Sequence, residues 1–189
     1  MLKPEFIQRF SLATLNASCQ QFRYPGRLKN AGVLIPIQEG EYGLEVVLTR
    51  RADHLYHHPG QVSFPGGKCE PLDANIIATA LRETHEEIGV GVDEVEIIGQ
   101  LGQYHTISGY LITPVVGFIP KHYPFQLDSN EVAEVFSVPL THFLNEQNHL
   151  KVQVSRKGMS HKIYFMPYMT YNIWGATAAI IKDLVSHLK

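Results

Sequence analysis

The 189-residue chain carries 16 basic and 18 acidic side chains for a formal net charge of -2, and 44% of it is hydrophobic. These are the proportions of an ordinary soluble globular protein long enough to bury a core. They offer no chain-wide attraction for nucleic acid or an anionic membrane, although a local basic pocket for a phosphorylated small molecule stays compatible with them.

In chain order, Phe6, Phe10, Leu12 and Leu15 can share one helical face, so residues 4–16 are expected to form a short helix. Residues 18–30, with Tyr24-Pro25-Gly26, read as a connecting loop. Two β-rich runs follow at 32–37 and 44–49, joined by the short polar segment 38–43 as a hairpin would be. The stretch 52–73 is expected to be a loop, and residues 74–88 a helix with Asp73 as N-cap and Gly89 ending it. Further strands are expected at 94–104, 110–119, 131–138, 151–154 and 162–165. A last amphipathic helix is placed over 172–188. Its run from Ile173 is broken by Lys182, Asp183 and His187, and no apolar run approaches the roughly 20 residues needed to span a bilayer. Cys19 and Cys69 form neither a disulfide framework nor a metal-spaced cluster, and residues 1–5 lack the pattern of a signal peptide. One cytoplasmic domain without nucleic-acid or membrane partners is therefore expected. Mixed strands and helices without a repeat or linker point to a sheet covered by helices.

The chemistry concentrates in Phe64-Pro65-Gly66-Gly67 and the helix that ends in Arg82-Glu83-Thr84-His85-Glu86-Glu87. Glu83 precedes Glu86 by three residues and Glu87 by four, so all three carboxylates can converge on one side of the helix. Like charges held together are destabilising unless a cation neutralises them, and hard ions such as Mg²⁺ or Mn²⁺ do so while retaining waters and binding phosphates. Such a water can attack phosphorus. Paired glycines allow a close backbone approach. Glutamate-rich helices are often merely solvated faces. The glycine turn and the apolar stripe of Ile76, Ile77, Ala80 and Leu81 on the opposite side shift the reading toward a metal platform.

The segment 67–90 resembles the Nudix box, G-x5-E-x7-R-E-U-x-E-E-x-G-U, where U is a bulky apolar residue. Gly67, Arg82-Glu83, Glu86-Glu87, Gly89 and Val90 match it. Asp73 stands for the first Glu, eight residues rather than seven separate it from Arg82, and Thr84 takes an apolar position. Upstream, Leu48-Thr49-Arg50-Arg51-Ala52, Gly60, Phe64-Pro65-Gly66-Gly67 and Glu70 are similar to the signature of the coenzyme A pyrophosphatase branch, with Tyr56 where that signature has a second Arg. Ser108-Gly109-Tyr110 with the 113–117 run, and the stretch from Glu131 to Leu140, also look like that branch. The resemblance covers about residues 30–145 of a single domain.

The resemblance implies an α/β/α sandwich around a mixed β-sheet, flanked by N- and C-terminal helices. It also implies cleavage of the diphosphate of coenzyme A or its thioesters into 4'-phosphopantetheine and adenosine 3',5'-bisphosphate. Glu83, Glu86 and Glu87 would be ligands to Mg²⁺ or Mn²⁺, and Arg82 would orient a carboxylate. Glu83 and Glu131 are both candidates for the general base.

Gly66 and Gly67 would give a diphosphate room. Arg50 and Arg51 are both candidates to bind a substrate phosphate, and strand alternation sends them to opposite faces. His54, His57 and His58 read as a polar loop rather than a zinc site, and His85 as exposed. Cys69 lacks an identifiable activating base. Tyr104, Tyr110 and Phe125 could stack on adenine, but aromatics on strands are more often core. The C-terminal Trp174, Ile180, Leu184 and Leu188 offer either packing or a homodimer surface. Two alternatives stand beside coenzyme A. One is a hydrolase of another nucleoside diphosphate derivative, such as ADP-ribose or a dinucleotide, and the other is a nucleotide-binding sensor without turnover.

Overall fold

The computed structural model describes residues 1–14, 18, 23–156 and 159–189. Helix α1 (Lys3–Leu12) leads into strands β1 (Lys29–Glu39) and β2 (Leu44–Arg51), followed by short strands β3 (Val62–Ser63) and β4 (Gly66–Lys68). Helix α2 (Ile76–Ile88) precedes β5 (Glu96–Gln100), β6 (Tyr104–His105), β7 (Tyr110–Phe118) and β8 (Val132–Pro139). Helix α3 (Leu140–Leu144), the strands β9 (Leu150–Arg156), β10 (Met159–Tyr168) and β11 (Tyr171–Trp174), and helix α4 (Gly175–His187) complete the chain.

An eight-stranded mixed sheet organises these elements. β1 runs antiparallel to β2 and parallel to β7, with Lys29 opposite Tyr110 and Ile37 opposite Phe118. β1 is nearly continuous in buried residues, as expected of a strand covered on both faces. α2 lies on one face, where Leu34, Ala80 and Val115 form a small core with Ile77 against it. The other face carries α1, α4 and the separate three-stranded sheet β11-β10-β9. Phe6 meets Phe118 edge-on with ring centroids 5.4 Å apart, and Ile180, Leu184 and Leu188 pack into the same core. The α/β/α layering expected from the sequence is what forms. Among the described residues, no helix is long and apolar enough to cross a membrane.

Several expectations need correction. The first helix ends at Leu12 rather than 16, and residues 15–16 and Cys19 lie outside the described residues. The 52–73 stretch contains β3 and β4, which at two and three residues are too short for a periodicity to reveal. The 94–104 run divides into a 3-10 turn at Val92–Glu94, then β5 and β6, with a register shift between Ile97 and Gly99. β8 starts at Val132, leaving Glu131 on the preceding loop. The last helix begins at Gly175 instead of 172. Tyr171 to Trp174 pair with β10, and Gly175 breaks the strand at φ +67° before α4 starts. Pairing with a neighbouring strand overrides the local helical pattern there.

Candidate active site

Helix α2 exists because its ends and its buried face are both provided for. The N-cap is Asn75 rather than Asp73. Its side-chain oxygen accepts hydrogen bonds from the backbone N–H groups of Ile77 and Ala78, each at 3.0 Å. Gly89 closes the helix in the left-handed region at φ +74°. Thr84, at an apolar position of the pattern, is fully buried and satisfies its hydroxyl by donating to the Ala80 carbonyl at 2.6 Å. β1 approaches the helix at Gly32, where a Cβ would sit 2.7 Å from the Ile76 carbonyl oxygen. No motif singled out Gly32, because its constraint comes from a helix far away in sequence.

Freed from capping, Asp73 becomes the anchor of Arg82. The guanidinium donates to both Asp73 oxygens, from Nε at 2.9 Å and from Nη2 at 3.1 Å, and Nη2 also reaches the Lys68 carbonyl. Thr79 and the Glu70 N–H complete the ring around Asp73. The Arg82 guanidinium holds the Asp73 carboxyl well below the usual carboxylate range. Arg82 Nη1 then stands 3.0 Å from Glu83 and 2.9 Å from Glu86. Asp73 thus reaches the carboxylate cluster through Arg82.

The glycine turn serves the same carboxylates. Gly66 has φ +151°, and a Cβ there would collide with the Gly32 oxygen and Val33 of β1. Its backbone N–H donates to Glu87, so this amide already serves a carboxylate of the cluster. At Gly67 a Cβ would fall 2.4 Å from the Glu83 carboxylate.

Glu87 is buried, at 5% exposure. Burial, together with the negative charges of Glu131 and Glu83, pushes it up to about 8, against the partial relief given by Arg51 and the Gly66 N–H. Glu83 is also raised, chiefly by burial, with Arg82 opposing and Glu86 and Glu131 adding. Folding therefore brings Glu131, forty-four residues further along, to the α2 carboxylates.

Strand alternation divides the two arginines as expected. Arg50 is occupied by Asp53 at 2.8 Å and Glu134 at 3.4 Å, and Glu134 is in turn held by the Tyr171 hydroxyl. Arg51 faces Glu87 and enters no ion pair with another described residue.

Glu83, Glu86, Glu87 and Glu131 supply only oxygen donors, the class preferred by hard divalent cations. Among the described residues no three of them form a closed ligand set, since Arg82 draws Glu83 and Glu86 toward itself. The mutual repulsion registered at Glu83 and Glu87 is the imbalance that a cation would relieve. The residues fit such an ion.

The remaining candidates fall elsewhere. His85 is exposed, and Tyr56 is 93% exposed on the 52–61 loop. Cys69 is partly buried and makes only a weak contact to the Glu70 carbonyl. Phe125 packs against the Val47–Ile88 core, while Tyr104 and Ile112 lie together against the main core.

A family model described as "NUDIX domain" matches residues 27–159. A protein named "Uncharacterized Nudix hydrolase NudL" from Yersinia pestis (strain Pestoides F) is 40% identical over 188 residues, covering 97% of this chain and 94% of its own length. Among solved structures, a NUDIX hydrolase from Alicyclobacillus acidocaldarius superposes with a TM-score of 0.54 at 19% identity, covering 86% of this chain and 93% of that one. The M. smegmatis Nudix hydrolase RenU gives 0.52 at 20% identity, covering 68% and 81%.

Proposed function

The chain belongs to the Nudix hydrolase family and is a hydrolase of phosphoric anhydrides, and from that premise we propose that it cleaves the diphosphate of coenzyme A or its thioesters in the cytoplasm. The products are 4'-phosphopantetheine and adenosine 3',5'-bisphosphate. The observation that carries anhydride hydrolysis is the buried Glu87 beside Glu83 and Glu131, with Arg51 facing it. The coenzyme A assignment is supported by the signature spanning residues 48–70, which carries Arg51, Gly66 and Gly67 beside that cluster.

Glu83, Glu86 and Glu87 would hold Mg²⁺ or Mn²⁺, and the ion would supply positive charge against the diphosphate and make a nearby water more acidic. Arg82, itself fixed by Asp73, orients Glu83 and Glu86. Glu131 accepts the proton of the attacking water. It is preferred over Glu83 because Glu83 is engaged by the Arg82 guanidinium, whereas Glu131 enters no described ion pair. Arg51 holds the diphosphate as its bridging P–O bond breaks. Gly66 and Gly67 leave the space in which these groups meet. The working unit is proposed to be a homodimer.

A second reading, hydrolysis of a different nucleoside diphosphate derivative, is favoured by Tyr56. It stands at a basic position of the signature and projects into solvent. Mass spectrometry of coenzyme A incubated with the protein and Mg²⁺ or Mn²⁺ distinguishes the two. Release of 4'-phosphopantetheine, lost in a folded Glu86→Gln variant, establishes reaction and site. Intact coenzyme A beside cleaved ADP-ribose or a dinucleotide would select the second reading.

A further inference from the structure

Glu83, Glu86 and Glu87 take their directions from the turns of α2. Glu131 stands instead on the loop ahead of β8, exposed to solvent. Its charge acts on both Glu87 and Glu83, so the like-charged cluster pushes it outward. A proton acceptor must stay within hydrogen-bond reach of the attacking water. An exposed side chain on a loop meets that demand only if its backbone is fastened.

The fastening converges on Asp128, three residues before Glu131 and half-buried. One carboxylate oxygen of Asp128 accepts from both the backbone N–H and the side-chain amide of Asn130, each at 2.9 Å. The Asp128 carbonyl accepts the N–H groups of Glu131 at 2.9 Å and Val132 at 2.8 Å. Its own N–H donates to the Glu87 carbonyl at 3.1 Å, beside the bond from Gln126 N–H to the Ile88 carbonyl. Asp128 therefore joins the end of the carboxylate helix to the backbone that carries Glu131. The far side of the turn is held by the 52–54 segment. Ala52 N–H donates to the Glu131 carbonyl at 2.8 Å, and His54 Nε2 stands 3.1 Å from the Asn130 carbonyl.

We propose that Asp128 is a positioning residue for the hydrolysis, its carboxylate closing the turn at Asn130 so that Glu131 stays directed at Glu87 and Glu83. A loop serving only to connect α2 and β8 would have no need of a carboxylate that binds its own turn while its amide is tied to a member of the cluster. The inference rests on Glu131 being the base, and not on which anhydride is cleaved.

Steady-state kinetics of the full chain with Mg²⁺, on whichever of coenzyme A, ADP-ribose or a dinucleotide it cleaves, tests this. Asp128→Ala should lower kcat by about tenfold or more and leave KM within about twofold. Asp128→Asn keeps the accepting oxygen and should recover kcat to within about threefold of the wild type. Asn130→Ala, which removes one of the two bonds at an exposed position, should show a smaller loss of the same kind. Hydrogen–deuterium exchange over residues 128–133 should quicken in Asp128→Ala and not in Asp128→Asn, with circular dichroism unchanged in both. Glu131→Gln should cost about 10²-fold or more in kcat, and adding Asp128→Ala to it should cost little further, because Asp128 acts through Glu131. Wild-type kcat in Asp128→Ala beside an inactive Glu131→Gln would overturn the positioning role alone. So would additive losses in the double variant, or an Asp128→Asn as slow as Asp128→Ala. Full activity in Glu131→Gln would remove the base itself, and the positioning role with it.

Discussion

Glu87→Gln should make the metal-free protein more stable while abolishing its turnover. Glu87 keeps its proton up to about 8 in the folded chain, against an ordinary value of 4.5. A raised carboxyl binds its proton more tightly folded than unfolded, so stability is greatest below 4.5 and is lost as pH rises through the window up to about 8. At pH 7 the interval of roughly 2.5 units corresponds to about 3 kcal/mol, and at pH 5 the penalty falls below about 1 kcal/mol.

Glutamine has the shape of the protonated side chain and can still accept the Gly66 N–H, so the variant avoids the cost of ionisation. In urea denaturation with excess chelator, the gain should be about 3 kcal/mol at pH 7, or roughly 6–12 °C in melting temperature. It should nearly vanish at pH 5. Adding Mg²⁺ should restore stability to the wild type and far less to the variant. Equal stabilities at pH 7 in chelator, or a less stable variant, would refute the account of Glu87 as an ionisable group confined by burial and by neighbouring carboxylates.

The other predictions concern the groups around it. Arg51→Ala should lower kcat/KM by about 10²-fold through loss of a charged phosphate contact, while Arg50→Ala, already neutralised by Asp53 and Glu134, should cost less than about tenfold. The reverse order in steady-state kinetics would mean that the two faces of β2 have been assigned the wrong way round. Gly67→Ala should retain the fold but lose about 10²-fold in kcat, since its Cβ would displace the Glu83 carboxylate from 2.4 Å. Full activity there would remove Glu83 from the reacting geometry. Asp73→Asn should loosen Arg82 and reduce kcat with a smaller effect on KM. Because the Asp73 pKa is depressed, its contribution to stability is present above the ordinary 3.8 and withdrawn as pH falls below it. Acid titrations of the variant and the wild type should therefore diverge above that value and converge below it.

Much of the site was legible in one dimension because helical geometry is local. Glu83, Glu86 and Glu87 share a face at spacings of three and four, and Gly89 marks the helix end through its own conformational freedom. The paired glycines announce a close approach, and the alternation of β2 separates Arg50 from Arg51 before any partner is known. The helix cap was misread because Asp73 and Asn75 both suit that position, and the choice depends on Arg82 drawing Asp73 away. The hairpin strand Tyr171–Trp174 was misread because its pairing with β10 is invisible in a local pattern.

By itself, then, the sequence determined the helix of carboxylates, the glycine turn and the layered fold, since each follows from periodicity or from the backbone freedom of single residues. Only the tertiary structure decided that Arg50 is paired with Asp53 and Glu134, that Gly66 bonds Glu87 and that Glu131 joins the cluster. Those outcomes depend on burial and on charges brought together from distant segments, and both exist only once the chain has closed on itself.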